Sequence, residues 1–156
     1  MPVSVRRAVT DDARAIAEIQ VAGWRAAYRG FLPDAFLDAF TVQARAARWT
    51  ELLEQGSETY VAKGGFCSVV RPARDGSAPV ELAALYVAPA RWRHGIGRRS
   101  LDTALPREEG VTLWVFSQNH RARSFYAASG FSDDGAEAVD PGTGVLEIRM
   151  RRTAGE

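Results

Sequence analysis

The stretch that decides the fold is Leu85-Tyr-Val-Ala-Pro89-Ala-Arg-Trp-Arg-His-Gly95-Ile-Gly97-Arg-Arg99, in which an apolar strand turns through two glycines directly into a helix. Glycines let backbone N–H groups approach a ligand closely, and the unpaired N–H groups and the dipole at a helix start attract anions. Four arginines and His94 add positive charge to the same stretch. The segment therefore predicts a site for a ligand with several phosphate oxygens, such as a pyrophosphate.

Two other interpretations of this segment compete with the pyrophosphate site. The first is a dinucleotide-binding fold, since Gly95-Ile-Gly97 begins a Gly-x-Gly-x-x-Gly pattern, but Ser100 stands at the position of the third glycine. No βαβ unit opens the chain and no acidic residue lies about twenty positions further on, so this interpretation is disfavoured. The second is a glycine turn under a solvated basic surface, which needs no ligand.

Hydrophobic periodicity and turn residues divide the rest of the chain into strands and helices. Strands are predicted at 3–9, twice within 58–71, and at 81–87, 111–116 and 145–150, and helices at about 10–28, 33–40, 42–53, 97–105 and 119–129. This order, with one parallel crossover around the fourth strand, indicates an α+β or mixed α/β fold.

Some positions carry specific local predictions. Thr10 is expected to cap the first helix, Gly64-Gly65 to form a two-residue hairpin turn, and Gly130 to end the last helix in a left-handed conformation. Gly97 is expected to face inward from its helix. Gly23 counts against the first helix unless its missing side chain lets another element pack closely.

Composition predicts a single domain over residues 1–156 that is cytoplasmic, with no membrane or nucleic-acid partner. The chain is 46% hydrophobic and 25% charged, with a net charge of +1 and no concentrated basic face. It has no signal-peptide core and no run of eighteen apolar residues. Cys67 is the only cysteine and is expected to lie in the core, while His94 and His120 form no metal-binding pair, so no metal is expected.

The decisive segment resembles motif A of the GNAT superfamily of N-acetyltransferases, where a Gln/Arg-x-x-Gly-x-Gly/Ala loop holds the pyrophosphate of CoA. Trp92 stands where that pattern has Gln or Arg, although arginines flank it. Asn119-His-Arg-Ala-Arg-Ser-Phe-Tyr126-Ala-Ala-Ser-Gly-Phe131 resembles the family's motif B, and 24–30 is similar to a pattern of bacterial members. The resemblance covers almost the whole chain. It implies the GNAT fold, a twisted, mostly antiparallel sheet with splayed parallel strands 4 and 5 and helices on both faces.

The resemblance also implies an enzyme that transfers acetyl from acetyl-CoA to a primary amine by direct attack in a ternary complex. Tyr126 falls on the tyrosine that donates a proton to the departing CoA sulfur. Glu81, at a position like that of the family's base, is the candidate for deprotonating the amine. Trp24, Tyr28 and Phe31 are candidates for the acceptor pocket. The predicted cofactor contacts are Leu85, Tyr86, Val87, Arg91, Arg93, His94, Gly95, Ile96, Gly97, Arg98, Asn119 and Tyr126.

Each of these roles has a structural alternative. The alternative for Glu81 is a surface residue at a strand end, and that for Asn119 is a helix cap, which does not exclude a cofactor contact. The alternative for Tyr126 and for the three aromatic residues is a place in the core. The resemblance further implies that the backbone N–H of Tyr86 or Val87 stabilises the developing oxyanion. The function itself has an alternative, a non-catalytic acetyl-CoA sensor or subunit. A homodimer is expected from the family resemblance alone, and the sequence does not identify the amine.

Overall fold

A hydrogen-bonded sheet organises the computed structural model, which describes residues 3–155. The ends of the single domain predicted over 1–156, namely residues 1, 2 and 156, lie outside the described residues. The strands and helices are β1 (Arg6–Arg7), α1 (Ala13–Tyr28), α2 (Asp34–Ala39), α3 (Val42–Glu54), β2 (Glu58–Ala62), β3 (Gly65–Val70), β4 (Val80–Val87), α4 (Ile96–Ala104), β5 (Val111–Phe116), α5 (His120–Ala128), β6 (Ser132–Val139) and β7 (Leu146–Arg152).

The strand order is β1-β2-β3-β4-β5-β7-β6. The pairs β1/β2, β2/β3, β5/β7 and β6/β7 are antiparallel. In contrast, β4 and β5 run parallel, with Val80 opposite Val111 and Glu81 opposite Thr112. The prediction of a mixed α/β fold with a mostly antiparallel sheet and one parallel crossover is confirmed.

The residues cluster into two compact units. The first, called here the N-terminal unit, comprises the chain up to Val69 together with Ala84–Ala104. The second, the C-terminal unit, comprises Val70–Ala83 and the residues from Leu105 onward. Strand β4 contributes its first half to the C-terminal unit and its second half to the N-terminal unit.

In the N-terminal unit, α1 and α3 pack over a core that includes Ile16 and Phe66. The buried Trp49 donates a hydrogen bond from Nε1 to Gln20 Oε1 at 2.8 Å, so the polar group on this interface is satisfied. A Cβ added at Gly23 would lie 3.0 Å from Cδ1 of Tyr86. The glycine inside α1 is therefore explained by the close approach of β4, as the sequence required.

In the C-terminal unit, β5 is buried along most of its length, and β7 pairs with it from Val111 opposite Arg152 to Phe116 opposite Glu147. Strand β6, which the sequence pattern did not predict, is the outer partner of β7. Its residues Ser132–Val139 are mostly exposed and include two aspartates and a glycine, with a register shift between Asp133 and Glu137. Such an edge strand lacks the apolar alternation by which strands are recognised.

The structure differs from several of the local predictions. Thr10 does not cap α1, because Thr10–Asp12 forms a 3-10 turn and α1 begins at Ala13. Asp12 instead accepts the Val9 N–H at 2.7 Å and pairs with Arg6. The first strand shrinks from 3–9 to Arg6–Arg7, which lie opposite Val61 and Tyr60 of β2.

The hairpin turn is one residue earlier than predicted. Because Ala62 pairs with Gly65, the central residues of the turn are Lys63 and Gly64, and Gly64 has the positive φ of +83°. Gly97 is half-buried, whereas the residues that α4 buries are Ile96, Ser100, Leu101 and Ala104. The left-handed ending of α5 at Gly130, with φ +97°, is confirmed.

Candidate active site

The segment from Pro89 to Gly97, called here the glycine loop, forms an open backbone turn at the start of α4. Arg93 and Gly95 both adopt the left-handed conformation, with φ of +67° and +80°. The Arg99 N–H donates to the Gly95 carbonyl at 3.0 Å, so the helical ladder begins there. The N–H groups of Ile96 and Gly97 consequently have no place in that ladder. Alternating left- and right-handed residues at a helix start form a concavity suited to anions.

Trp92 fastens the glycine loop to the end of β4. Its indole Nε1 donates to the Val87 carbonyl at 2.8 Å, and the next residue of the chain, Ala88, donates its N–H to Gly64 O at 2.8 Å. The side chain of Arg91 covers Gly64, where an added Cβ would lie 2.7 Å from Arg91 Cγ. Trp92, which replaces the Gln or Arg of the family pattern, therefore holds the loop in shape.

The charges around the loop are largely uncompensated. Within residues 3–155, the exposed side chains of Arg91, Arg93 and Arg99 form no ion pair, whereas Arg98 Nε lies 3.6 Å from Asp102 Oδ1. His94 is also exposed. The N-terminal unit thus brings the predicted loop residues together as a positively charged concavity.

The strand before the loop places the other predicted contacts of this unit. Leu85, Tyr86 and Val87 end β4 and are half-buried. The Tyr86 ring stacks on Phe66 with 5.7 Å between centroids and covers Gly23. Tyr86 is consequently anchored by packing on one side, which fixes the direction in which β4 enters the loop.

The three aromatic residues predicted for the acceptor pocket form one cluster in the N-terminal unit. Trp24 meets Tyr28 edge-on at 4.8 Å, and Tyr28 lies 6.2 Å from Phe31. Phe40, which was not predicted to be part of the site, lies at the end of α2 and stacks on Trp24 with 4.9 Å between ring centroids. The signal for Phe40 in the sequence was its place as the last, aromatic residue of a short predicted helical turn. Tyr28 is 8% exposed, so it also serves the core.

Glu81, in the C-terminal unit, is buried at 2% exposure, and among residues 3–155 its carboxylate accepts hydrogen bonds from Arg74 alone. Its Oε1 accepts the backbone N–H of Arg74 at 2.9 Å and the guanidinium Nε at 3.1 Å, and its Oε2 accepts Nη2 at 2.6 Å. A carboxylate has about four acceptor sites, so about one remains. The hydrogen bond to Glu81 raises the pKa of Arg74. The ion pair anchors the connection between β3 and β4.

Asn119 and Tyr126 lie in the same unit, at the start and toward the end of α5. The Oδ1 of Asn119 accepts the Ala122 N–H at 3.2 Å, so its predicted capping role is present. The Tyr126 ring lies 5.5 Å from Phe125 and 5.9 Å from Phe131 between centroids, and the side chain is half-buried. Both residues thus have structural roles that do not exclude the cofactor contacts expected of them.

Cys67 is fully buried in β3, as the sequence predicts. Burial, with a contribution from the charge of Glu58, raises the pKa of its thiol to about 12. Over the described range, no group of three or more His, Cys, Asp or Glu is placed to hold a metal ion. The helices of residues 3–155 include none with the length and apolar character needed to cross a membrane.

Comparison with known sequences gives one consistent family. A family model described as an acetyltransferase (GNAT) domain matches residues 55–133, about half of the chain. The chain is 30% identical to the Bacillus subtilis protein named uncharacterized N-acetyltransferase YuaI, over 75% of this chain and 73% of that protein. It is 28% identical to the Mycobacterium tuberculosis protein named probable N-acetyltransferase Rv2775, over 85% of this chain and 82% of that protein.

Solved structures share the fold over nearly the whole chain. The PaiA N-acetyltransferase of Thermoplasma acidophilum, in complex with coenzyme A, superimposes with a TM-score of 0.73 at 18% identity, covering 98% of this chain and 99% of that one. The Salmonella typhimurium protein yncA, with its cofactor acetyl-CoA, gives 0.68 at 21% identity, covering 100% and 96%. At such identities the similarity establishes the fold alone.

Proposed function

This chain belongs to the GNAT family of acetyltransferases, and from that premise we propose that it transfers acetyl from acetyl-CoA to a primary amine by direct attack in a ternary complex. The observation that carries the proposal is the glycine loop. Its left-handed Arg93 and Gly95 precede the N–H groups that lie outside the helical ladder at the start of α4, and within residues 3–155 the exposed Arg91, Arg93 and Arg99 form no ion pair. A pyrophosphate fits that combination of backbone donors and positive charge.

The choice of acetyl-CoA is supported by the shape of the loop and by relatives. A Cβ added at Gly95 would meet nothing within 4 Å, so the concavity is open on that side. We assign the pyrophosphate to the N–H groups of Ile96 and Gly97 and to the side chains of Arg91 and Arg93. The T. acidophilum and S. typhimurium proteins of the same fold were solved with CoA and acetyl-CoA, which favours the same cosubstrate here.

The chain's own groups have the following proposed tasks. Acetyl-CoA supplies an acetyl group activated as a thioester. Tyr126 donates its phenolic proton to the departing sulfur, and Glu81 accepts the proton that the amine loses. A backbone N–H at Tyr86 or Val87 stabilises the negative charge that develops on the acetyl oxygen. Asn119 contacts the pantetheine arm in addition to capping α5.

Two measurements test the proposal. Acetyl-CoA at a hundred times its Kd should raise the free energy of unfolding by roughly 2.7 kcal/mol, because it binds only the folded state. CoA thiol released in the presence of an amine panel then separates an enzyme from a sensor that binds without turnover. Since Cys67 is buried with its pKa raised to about 12, the thiol background should stay low. Folded protein whose melting temperature ignores millimolar acetyl-CoA would overturn the assignment.

The cytoplasmic location and the homodimer stay predictions. A primary amine is the acceptor class common to the family, and nothing in the glycine loop selects among amines. The acceptor must therefore be inferred from other residues of the N-terminal unit.

A further inference from the structure

Two arginines flank Phe40 in the N-terminal unit. Arg25 of α1 donates from Nη2 to the Phe40 carbonyl at 3.3 Å. Arg45 of α3 donates from Nε to Gln20 Oε1 at 3.1 Å, and its guanidinium carbon lies 5.3 Å from the centroid of the Phe40 ring. Two cations from different helices thus converge on one aromatic residue.

Neither arginine has an acidic partner within the described residues. Both side chains are half-buried, and the Nε of Arg25 is buried without any hydrogen-bond partner. Neighbouring arginines of the same helical region do find carboxylates, since Arg29 pairs with Asp34 and Asp38, and Arg48 pairs with Glu51. Among the arginines of α1 to α3, the absence of a carboxylate is therefore specific to the pair beside Phe40.

The missing counter-ion has an energetic cost. Burial lowers the pKa of Arg45, and the charge of Arg48 adds to that effect, while Tyr86 opposes it. A guanidinium withdrawn from water is costly unless an anion or hydrogen-bond acceptors replace its hydration. Arg45 uses only its Nε within residues 3–155, which leaves its two Nη groups available to a ligand.

The apolar surface beside these cations limits the kind of anion. Phe40 stacks on Trp24, which in turn meets Tyr28, so the two guanidiniums adjoin a cluster of aromatic rings. A guanidinium presents a planar fork that matches a carboxylate with two parallel hydrogen bonds. The complementary ligand is therefore a carboxylate joined to an apolar group.

We propose that Arg25 and Arg45 bind the carboxylate of the acetyl acceptor, so that the acceptor is an amino acid or short peptide with an apolar side chain that packs on Trp24 and Phe40. The inference rests on the proposed acetyl transfer to a primary amine. It assigns to this chain a selectivity that family membership does not carry. The carboxylate comes either from a free amino acid or from the carboxyl end of a short peptide.

The test compares acids with their own amides. Each of the twenty amino acids, and a set of dipeptides, is offered as free carboxylate and as carboxamide, and kcat/KM for acetylation is measured. Hydrogen bonds to charged groups contribute about 1.5–3 kcal/mol, so the favoured acid should exceed its amide by roughly tenfold to a hundredfold. A larger ratio for dipeptides than for amino acids identifies the peptide carboxyl end as the source.

Variants locate the selectivity. In Arg45→Gln and Arg25→Gln, the ratio of kcat/KM for the acid to kcat/KM for its amide should fall toward one. Arg45→Lys keeps a positive charge and should retain part of this preference for the acid. Arg48→Gln is the matched control, because it removes the same charge from an exposed position of α3, where the partner is Glu51. It should keep the full ratio. Melting temperatures show whether each variant is folded.

The possible results distinguish failure of the proposed carboxylate site from failure of the proposed acetyl transfer. Equal rates for acids and amides, or a ratio that survives in both Arg45→Gln and Arg25→Gln, overturn the inference. Turnover confined to amines without a carboxylate, such as polyamines, overturns it too but leaves acetyl transfer standing. If no amine is acetylated, the proposed function fails, and calorimetric titration with acids and amides then decides the carboxylate site on its own.

Discussion

Two arginine-rich regions of the molecule use the same side chain in opposite ways. The arginines of the glycine loop are exposed and form no ion pair among residues 3–155. On β7, by contrast, Arg149 donates to Asp134 at 2.6 Å and to Asp75 at 3.3 Å, and lies over the Trp114 ring. Arginines with fixed carboxylates connect neighbouring segments, whereas those of the glycine loop keep their charge available to the cosubstrate proposed above.

The effect of ion pairing on β7 is also visible in the pKa of a carboxylate that Arg149 contacts. Burial alone would raise the pKa of Asp75, but hydrogen bonds from Ser77, Trp114 and Arg149 outweigh it and lower that pKa to about 2. The network is therefore charged and satisfied over the whole neutral range. Arg25 and Arg45 are the intermediate case, since they are half-buried like the network but unpaired like the loop.

The largest expected effect is in the glycine loop. Gly95→Val places a β-branched residue at φ +80°, where a left-handed residue costs roughly 1–2 kcal/mol, so the turn should rearrange and lose its aligned N–H groups. Acetyl-CoA binding, measured by calorimetry, should fall below detection. The fold should survive, because an added Cβ at Gly95 meets nothing within 4 Å.

Gly56→Val is the matched control for this change. Gly56 has φ +87° and equally open surroundings, in the same unit but at the end of α3. It carries the same backbone strain and should bind acetyl-CoA normally. Undiminished acetyl-CoA affinity in Gly95→Val would mean that the phosphate site lies elsewhere. The arginines of the glycine loop would then have no proposed ligand to set them apart from those of β7.

Tyr126 tests whether the well-packed C-terminal unit supplies a reacting group. Tyr126→Phe keeps the ring that packs between Phe125 and Phe131 and removes only the hydroxyl. Loss of a general acid should lower kcat about a hundredfold or more, with near-normal melting temperature and acetyl-CoA affinity. Steady-state kinetics alongside thermal melting decide the matter. Near-normal kcat would leave Tyr126 as a core residue only.

Substitution of Glu81 tests whether a carboxylate that is already bound to an arginine can also act as a base. Glu81→Gln should lower turnover at neutral pH, and activity should recover as the pH rises, because more of the amine is then already neutral. Arg74→Gln is the control, since it breaks the same ion pair and keeps the carboxylate. The pH profile of kcat/KM is the measurement. Equal losses in both variants would make Glu81 an anchor of the β3–β4 connection.

The smallest expected effects come from single arginine substitutions, which should lower ligand affinity in the glycine loop and stability on β7. Arg93→Gln removes a charge from the loop and should weaken acetyl-CoA binding by about tenfold without changing stability. Arg149→Gln should leave that affinity unchanged and lower the free energy of unfolding by about 1–3 kcal/mol, measured in urea.

The Arg149→Gln stability loss should also depend on pH in a definite direction. Asp75 has a folded-state pKa of about 2, below its unfolded value, so its pairing stabilises the protein above about pH 4 and is lost as the pH falls toward 2. The difference between wild type and Arg149→Gln should shrink over that interval. If the difference in free energy of unfolding between wild type and Arg149→Gln stays constant down to pH 2, the ion pairs of Arg149 do not contribute to that difference.

The parts of the site that could be predicted from sequence are those built from neighbouring residues. The turn into α4, the cap at Asn119 and the ending at Gly130 each depend on a few consecutive positions, and all are present. Strand β6 was missed because its polar, exposed residues follow no apolar alternation. The hairpin turn was displaced by one residue because two consecutive glycines suit either position.

By itself, then, the sequence determined the family, the order of most elements and the glycine loop to which we assign the pyrophosphate, because backbone conformation at glycines and helix starts is set locally. Only the tertiary structure decided which side chains are already occupied. Trp92 bonded to Val87, Glu81 bonded to Arg74, and Arg25 and Arg45 beside Phe40 are all outcomes of packing between separate elements. Hydrogen-bond partners depend on that packing, because a charged group takes whichever neighbour the fold brings within about 3 Å.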